Sequence, residues 1–311
     1  MKILITGYSG FVGSYLLEQL IFNYDLKLLG RTTPPIECEF LQASIGSKAD
    51  YSSIIKDIDV VIHIAARVHI MNDSVLDPLE EFRDVNVRGT LNLAKQALES
   101  GVKRFIYISS IKVNGEKTSI NLPFTNADKH RPEDPYGVSK SEAENQLLAL
   151  SQETGLEIVI IRPPLVYGEG VKGNFASLLK MVVKRIPLPF RAITNNKRSL
   201  VSVYNLVDLI KVCVDHPNAA NQIFLVSDDN DISTSEMVAL MAKVQCCPNY
   251  SLPLPVWCFH LLGKLLSKQD VIDRLVGSLQ VDITHTKNTL NWTPPFSIEE
   301  GFAKCIERRD V

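Results

Sequence analysis

Lys2-Ile3-Leu4-Ile5-Thr6-Gly7-Tyr8-Ser9-Gly10-Phe11-Val12-Gly13 opens the chain with a short apolar run, then glycines three residues apart, then a helical pattern over Phe11–Phe22. Lys2–Thr6 has the length and composition of a buried strand. Gly7 permits a tight turn. Gly10 removes a Cβ that would hold the backbone away from a pyrophosphate, and Gly13 lets the helix pack close to the strand. The N–H groups of Phe11 and Val12 at the helix start, with the positive end of the helix dipole, then face an anion. Glycines at this spacing are weak evidence alone. A strand before them and an amphipathic helix after them supply the context a dinucleotide-binding loop demands.

The pattern continues outward from that loop. Leu26–Leu29, Val60–Ile64, Arg104–Ser109 and Glu157–Arg162 read as further buried strands. Between them, Leu79–Ser100 has helical spacing and stops at Gly101, and a second helix runs from about Tyr136 to Glu153. Strands alternating with helices imply parallel strands joined by right-handed crossovers. The expected fold is α/β: a Rossmann doubly wound parallel sheet with a smaller, mostly helical C-terminal lobe. After Pro163-Pro164 glycines and prolines multiply and elements shorten. Residues 1–165 are therefore assigned to the dinucleotide-binding domain and 166–311 to the substrate lobe, with a return to the sheet near Ile223–Val226.

Composition narrows the function. The chain has 311 residues, 45% of them hydrophobic, and a net charge of −2. That supports a sizeable core and gives no basic excess for nucleic acid. The six cysteines form no Cys-x-x-Cys pair, the histidines are dispersed, and no metal site is expected. Reduced thiols and an opening without a signal-peptide pattern point to the cytoplasm. Leu252–Leu266 is apolar but short and contains His260 and Lys264, so membrane insertion is not expected.

Two further stretches carry chemistry. The second strand ends Leu28-Leu29-Gly30-Arg31-Thr32. An acid there would hold the ribose 2′-OH of NAD, whereas an Arg accommodates the 2′-phosphate of NADP, so Arg31 leans toward NADP. Tyr136-Gly137-Val138-Ser139-Lys140 sets Tyr and Lys on one helix face. A free phenol is a poor base at neutral pH, and a neighbouring ammonium would favour its ionised form. Ser109-Ser110 ends a buried strand, where an open α/β sheet has its ligand crevice.

Taken together, these stretches resemble the extended short-chain dehydrogenase/reductase family of nucleotide-sugar epimerases, dehydratases and reductases. The resemblance runs nearly end to end. It covers the glycine loop, Ile62-His63-Ile64-Ala65-Ala66, Asn86-Val87-x-Gly89-Thr90, Tyr107-Ile108-Ser109-Ser110 and Pro135-Tyr136-Gly137-x-Ser139-Lys140. It continues through Ile161-Arg162-Pro163-Pro164, Arg198-Ser199-Leu200-Val201, Asn291-Trp292-Thr293-Pro294-Pro295 and Glu299-Glu300-Gly301. The resemblance implies Ser110, Tyr136 and Lys140 as the catalytic triad. It implies Gly7, Gly10, Phe11, Val12, Gly13, Arg31, Ala65, Ala66, Asn86, Tyr136, Lys140 and Pro163 around an NAD(P) cofactor. Ser110, Asn174 and Arg198 are implied contacts of a UDP-sugar, with Arg198 on its diphosphate, and a homodimer is left open.

Departures from the family pattern are informative. Where an acid usually contacts adenine, this chain has Ser44-Ile45. Where 4,6-dehydratases carry an Asp-Glu pair, it has Ile111-Lys112, which cannot do that proton chemistry. Ser109–Gly115 and Asn195–Val201 look closest to a bacterial subgroup of surface-polysaccharide (O-antigen, lipopolysaccharide) synthesis. Members of that subgroup are similar to the enzyme interconverting UDP-N-acetyl-quinovosamine and its 4-keto precursor. The leading expectation is a 4-ketoreductase, which reduces UDP-2-acetamido-2,6-dideoxy-4-hexulose at C4. The alternative is a UDP-glucose or UDP-N-acetylglucosamine 4-epimerase, and a non-catalytic NADP sensor is a distant third.

Overall fold

The structure, a computed structural model, describes residues 1–68 and 77–305. The elements run β1 (Lys2–Thr6), α1 (Phe11–Leu20), β2 (Asp25–Gly30), β3 (Glu39–Gln42), α2 (Ser52–Ile55), β4 (Val60–His63) and α3 (Pro78–Phe82). A π-helical segment, Arg83–Gly89, leads into α4 (Thr90–Glu99), β5 (Arg104–Ile108), a 3₁₀ turn (Ile111–Val113), α5 (Pro135–Thr154) and β6 (Glu157–Arg162). Then come β7 (Leu165–Tyr167), α6 (Asn174–Val183), β8 (Leu200–Ser202), α7 (Val203–Asp215), β9 (Gln222–Leu225), α8 (Thr234–Val244), α9 (Val256–Leu265), α10 (Gln269–Val276), α11 (Thr284–Leu290) and α12 (Ile298–Lys304).

Seven strands form one sheet in the order β3-β2-β1-β4-β5-β6-β9, every neighbouring pair parallel. A Rossmann-like α/β fold is thus observed, as the strand–helix alternation predicts. The two-residue period of the strands divides the core. Ile3, Ile5, Val60, Ile62, Ile106, Val159 and Ile161 pack on one face with Leu16 of α1, Leu206 and Ile210 of α7 and Leu290 of α11. Leu4, Val61, Phe105, Tyr107, Ile158 and Ile160 pack on the other with Ile55 of α2, Leu93 of α4 and Leu147 of α5. A third cluster joins α6, α8, α9 and α12 around Tyr167, Phe175, Met241 and Phe302.

Element boundaries shift by a residue or two from the sequence expectation, and two differences are larger. Leu79–Ser100 is not one helix, because the segment Arg83–Gly89 widens to π spacing between α3 and α4. The C-terminal part also contains a two-stranded parallel sheet, β7 with β8, inside its helical packing. Among the described residues no helix is long and apolar enough to cross a membrane.

Candidate active site

Strand order reverses between β1 and β4, so the loops leaving these two strands face each other across a crevice. Gly7 sits at φ +75°, and a Cβ on it would lie 2.6 Å from the Ala65 nitrogen. A Cβ on Gly13 would lie 2.1 Å from the Gly7 carbonyl oxygen. Any side chain at either position would drive the loop, the helix and the β4 exit apart. Gly10 begins α1 without any side-chain cap, which leaves the first N–H groups of the helix, at Phe11 and Val12, to an anionic ligand. A cradle with glycine at positions 7, 10 and 13 below an uncapped helix start fits the pyrophosphate of a dinucleotide. Gly30 ends β2 beneath the Tyr8 ring, and a Cβ there would approach the ring to 2.7 Å. Tyr8 in turn donates its hydroxyl to the Thr32 carbonyl. Arg31 is exposed, and its carbonyl accepts from Gln42 Nε2 at 3.1 Å.

The β4 exit is fixed from below by a buried chain of side chains. Thr6 Oγ1 meets His63 Nδ1 at 2.7 Å, and His63 Nε2 meets Thr90 Oγ1 at 2.9 Å. The Ala65 N–H donates to Thr6 Oγ1 at 3.3 Å. Ala66 follows and is half-buried. Asn86 then takes the next turn of backbone: its Oδ1 accepts from the Arg67 N–H at 2.8 Å, while Nδ2 donates to the Arg67 carbonyl and to Ser139 Oγ, each at 3.0 Å. The π-helical widening puts Asn86 where one side chain reaches both the cofactor-side loop and α5.

α5 begins at a strong cap. Asp134 accepts from the Gly137 N–H at 2.6 Å, Pro135 occupies the first turn, and Lys112 holds Asp134 from the 3₁₀ turn after β5 while also pairing with Glu116 at 2.8 Å. This cap sets the helix start, and with it Tyr136. One turn on, Lys140 is buried; its Nζ donates to the Ile108 carbonyl at 2.8 Å and lies 4.4 Å above the Tyr107 ring and 5.9 Å from the Tyr136 ring centre. Burial pulls the Lys140 ammonium down to about 7, with Glu144 opposing the shift. The Tyr136 phenol is pushed up, first by burial and then by the Asp134 charge. The helical spacing predicts that the lysine favours the phenolate; here burial, followed by the Asp134 charge, sets the direction of the shift.

Ser110 stands at the mouth of β5, half-buried, with its Oγ accepting from the Lys112 N–H at 3.3 Å. Pro163 is buried beside it, and its carbonyl accepts from the Ile111 N–H at 3.0 Å, locking the β6 exit to the Ser110 turn. Ile111 is buried and Lys112 is held by carboxylates, so neither offers proton chemistry at this position.

The remaining predicted residues lie in the C-terminal half. Asn174 is exposed at the first position of α6. Arg198 Nη1 donates to the Arg274 carbonyl at 2.9 Å and the Gly277 carbonyl at 3.2 Å. Burial and then the neighbouring Arg274 charge hold the Arg198 guanidinium below its usual value, so two arginines stand close together here. Arg274 was not legible in sequence, because it lies in an amphipathic helix with no motif around it. In sequence His63 reads only as part of a strand motif, because its contacts depend on Thr6 and Thr90 from distant segments.

Comparison with known proteins follows the same lines. A model of the NAD dependent epimerase/dehydratase family matches residues 3–227. A UDP-glucose 4-epimerase of Vibrio cholerae is 54% identical over 310 residues, covering 98% of this chain and 94% of that protein. The N-acetyl-alpha-D-glucosaminyl-diphospho-ditrans,octacis-undecaprenol 4-epimerase of Escherichia coli O157:H7 is 29% identical over 98% of this chain and 94% of its own. In fold, the chain is similar to a UDP-N-acetylglucosamine 4-epimerase from Bacillus cereus, with a TM-score of 0.81 at 19% identity, 98% of each chain being covered.

Proposed function

We propose that this chain, which belongs to the NAD dependent epimerase/dehydratase family, is a UDP-hexose 4-epimerase that holds NAD in the crevice between β1 and β4. The observation that carries the reading is Lys140, bonded to the Ile108 carbonyl at the end of β5 with the Tyr136 ring 5.9 Å away, on a chain 54% identical to a UDP-glucose 4-epimerase. The glycine cradle, the uncapped start of α1, Ala65, Ala66, Asn86 and Pro163 are the residues that would hold the cofactor. When bound, the oxidised nicotinamide supplies a hydride acceptor and a positive charge.

The chain's own residues then do the following. Ser110 Oγ hydrogen-bonds the C4 oxygen of the sugar. Tyr136 takes the proton of that hydroxyl and later returns it to the same oxygen. The charge of an oxidised nicotinamide and of Lys140 would favour the phenolate, its own proton having passed to solvent, as the form that takes this hydroxyl proton. Lys140, anchored on the Ile108 carbonyl, holds positive charge beside the phenol when protonated and so favours the step in which the proton leaves. Arg198 and Arg274 receive the diphosphate of the UDP-sugar, with Asn174 at the start of α6 as a weaker contact. Planar guanidinium forks suit two phosphate oxygens and stay charged at working pH.

The finer reading kept from sequence is reduction of UDP-2-acetamido-2,6-dideoxy-4-hexulose by NADPH, supported by Arg31 and by the absence of a carboxylate in Leu28–Thr32. A single experiment separates the two. The purified protein is incubated with UDP-glucose and with UDP-N-acetylglucosamine, without added cofactor, and the C4 configuration is read by NMR. Epimerisation that vanishes in Tyr136→Phe, by about 10²–10⁴-fold with cofactor binding kept, is the expected result. In a second arm the protein is given NADPH and the 4-keto sugar; stoichiometric NADPH consumption there, with no epimerisation of either UDP-hexose in the first arm, would overturn the epimerase in favour of the reductase.

A further inference from the structure

Val256-Trp257-Cys258-Phe259-His260-Leu261-Leu262-Gly263-Lys264-Leu265-Leu266 builds α9 and its C-terminal end inside out. Only Phe259 and Gly263 are buried; Phe259 stacks on Phe190 with centroids 6.0 Å apart, and Gly263 packs against Ile272 of α10. The large apolar side chains point the other way. Trp257, Leu261, Leu262, Leu265 and Leu266 are all exposed, Leu265 by 78%, and Leu252 just upstream is exposed too. Positions 257, 261, 262, 265 and 266 form one helical stripe, so this is a continuous apolar face rather than scattered single residues.

Charge decides what covers it. From Met237 to Gln269 the sequence contains no Asp or Glu, although the chain as a whole is slightly acidic. Exposed Lys264 flanks the leucine stripe and exposed Lys268 follows it. On the adjoining α10, Asp273 accepts from Gln269 Nε2 at 2.8 Å. In a face-to-face pair built on α9, Lys264 and Lys268 would meet their own kind, the nearest carboxylates in sequence, Asp270 and Asp273, belonging to α10, and lysine is depleted from such interface cores. An anionic bilayer satisfies the same pattern: leucines enter the acyl boundary, lysine stems snorkel to headgroup phosphates, and tryptophan sits at headgroup level. A ten-residue helix is about 15 Å long and cannot cross a hydrocarbon core of about 30 Å. We propose that α9 lies flat in the surface of an anionic lipid bilayer and docks the enzyme there reversibly.

The chain supplies its own probe. It has two tryptophans: Trp292 is 5% exposed and donates its ring N–H to Asp208, whereas Trp257 is 66% exposed. The full-length protein is mixed with vesicles of phosphatidylethanolamine and phosphatidylglycerol, and separately with phosphatidylcholine vesicles. A blue shift of tryptophan emission and co-flotation with the anionic vesicles alone, both weakened by salt, are the expected results. Lys264→Glu with Lys268→Glu lowers vesicle affinity by at least about tenfold, and Leu261→Ser with Leu265→Ser abolishes it. Turnover of soluble UDP-sugar stays unchanged in both, which shows that the variants fold. Absence of shift and flotation overturns the proposal. So does a sedimenting dimer that Leu265→Ser disperses while vesicles are ignored, because the stripe is then an interface between copies.

Discussion

His63 is held neutral by its surroundings. Burial, and then the charge of Lys140, lower its value to about 3, while Thr6 and Thr90 bracket its two ring nitrogens. An unfolded histidine takes up a proton near 6.5, so below that pH the unfolded chain binds a proton that the folded protein refuses. The stability this group contributes is therefore complete above about pH 6.5 and falls by up to about 1.4 kcal/mol per pH unit toward pH 3. Urea unfolding of wild type and His63→Asn between about pH 6 and 4.5 should show a shallower slope in the variant; equal slopes would assign the acid sensitivity elsewhere. A second residue-scale expectation concerns the paired arginines. Arg198→Ala should lower the melting temperature as well as UDP affinity, because Nη1 also ties the Arg274 and Gly277 carbonyls. The milder Arg198→Lys and Arg274→Lys should each weaken UDP binding through loss of the bidentate fork while the fold survives. Calorimetric titration with UDP checks this, and unchanged affinity in both variants would remove the diphosphate role.

At the scale of elements, the segment Arg83–Gly89 links cofactor loop and catalytic helix through one amide. Asn86→Leu removes the acceptor of the half-buried Arg67 N–H and one donor to Ser139 Oγ, which keeps its own bond to the Tyr136 carbonyl, so a loss of about 1–3 kcal/mol is expected, measurable by urea denaturation. The widening itself was not legible, because apolar spacing over Leu79–Ser100 suits an ordinary helix and the π turn is imposed by partners at Arg67 and Ser139. β3 escaped notice for another reason: Glu39-Phe40-Leu41-Gln42 is a short edge strand with polar ends and no buried run. β7 and β8 are three residues each, below the length at which alternation can be read. By contrast the glycine loop and α5 announce themselves, since their chemistry depends on residues adjacent in sequence. The direction of the Tyr136 shift does not, because desolvation is a property of what packs around the ring.

Across the whole molecule, a buried ionic knot ties the central sheet to its covering loops. Arg162 of β6 donates from Nε to Glu144 of α5 at 3.0 Å, from Nη1 to Asn114 Oδ1 at 2.9 Å and from Nη2 to His130 Nε2 at 2.6 Å. A guanidinium has no acceptor, so His130 accepts through Nε2 and stays neutral, in keeping with the fall in its own value from burial and the Arg162 charge. Arg162→Met strands the Glu144 charge and should cost about 3–5 kcal/mol, whereas Arg162→Met combined with Glu144→Leu should recover most of it. Thermal unfolding of the three proteins decides; a double variant no better than the single would mean that packing, not charge, holds this place. The position of β9 has a consequence for how the protein is made. The strand bordering β6 arrives only at Gln222, and Arg104 at the start of β5 waits for the carbonyls of Cys213, Val214 and His216. During synthesis the nascent chain therefore presents β6 as an open apolar edge while some sixty further residues emerge, which takes about 3–12 s at translation speeds of about 5–20 residues per second. For that interval the half-built sheet keeps a pairing edge open, so a slow codon stretch between β6 and β9 would lengthen the window for aggregation.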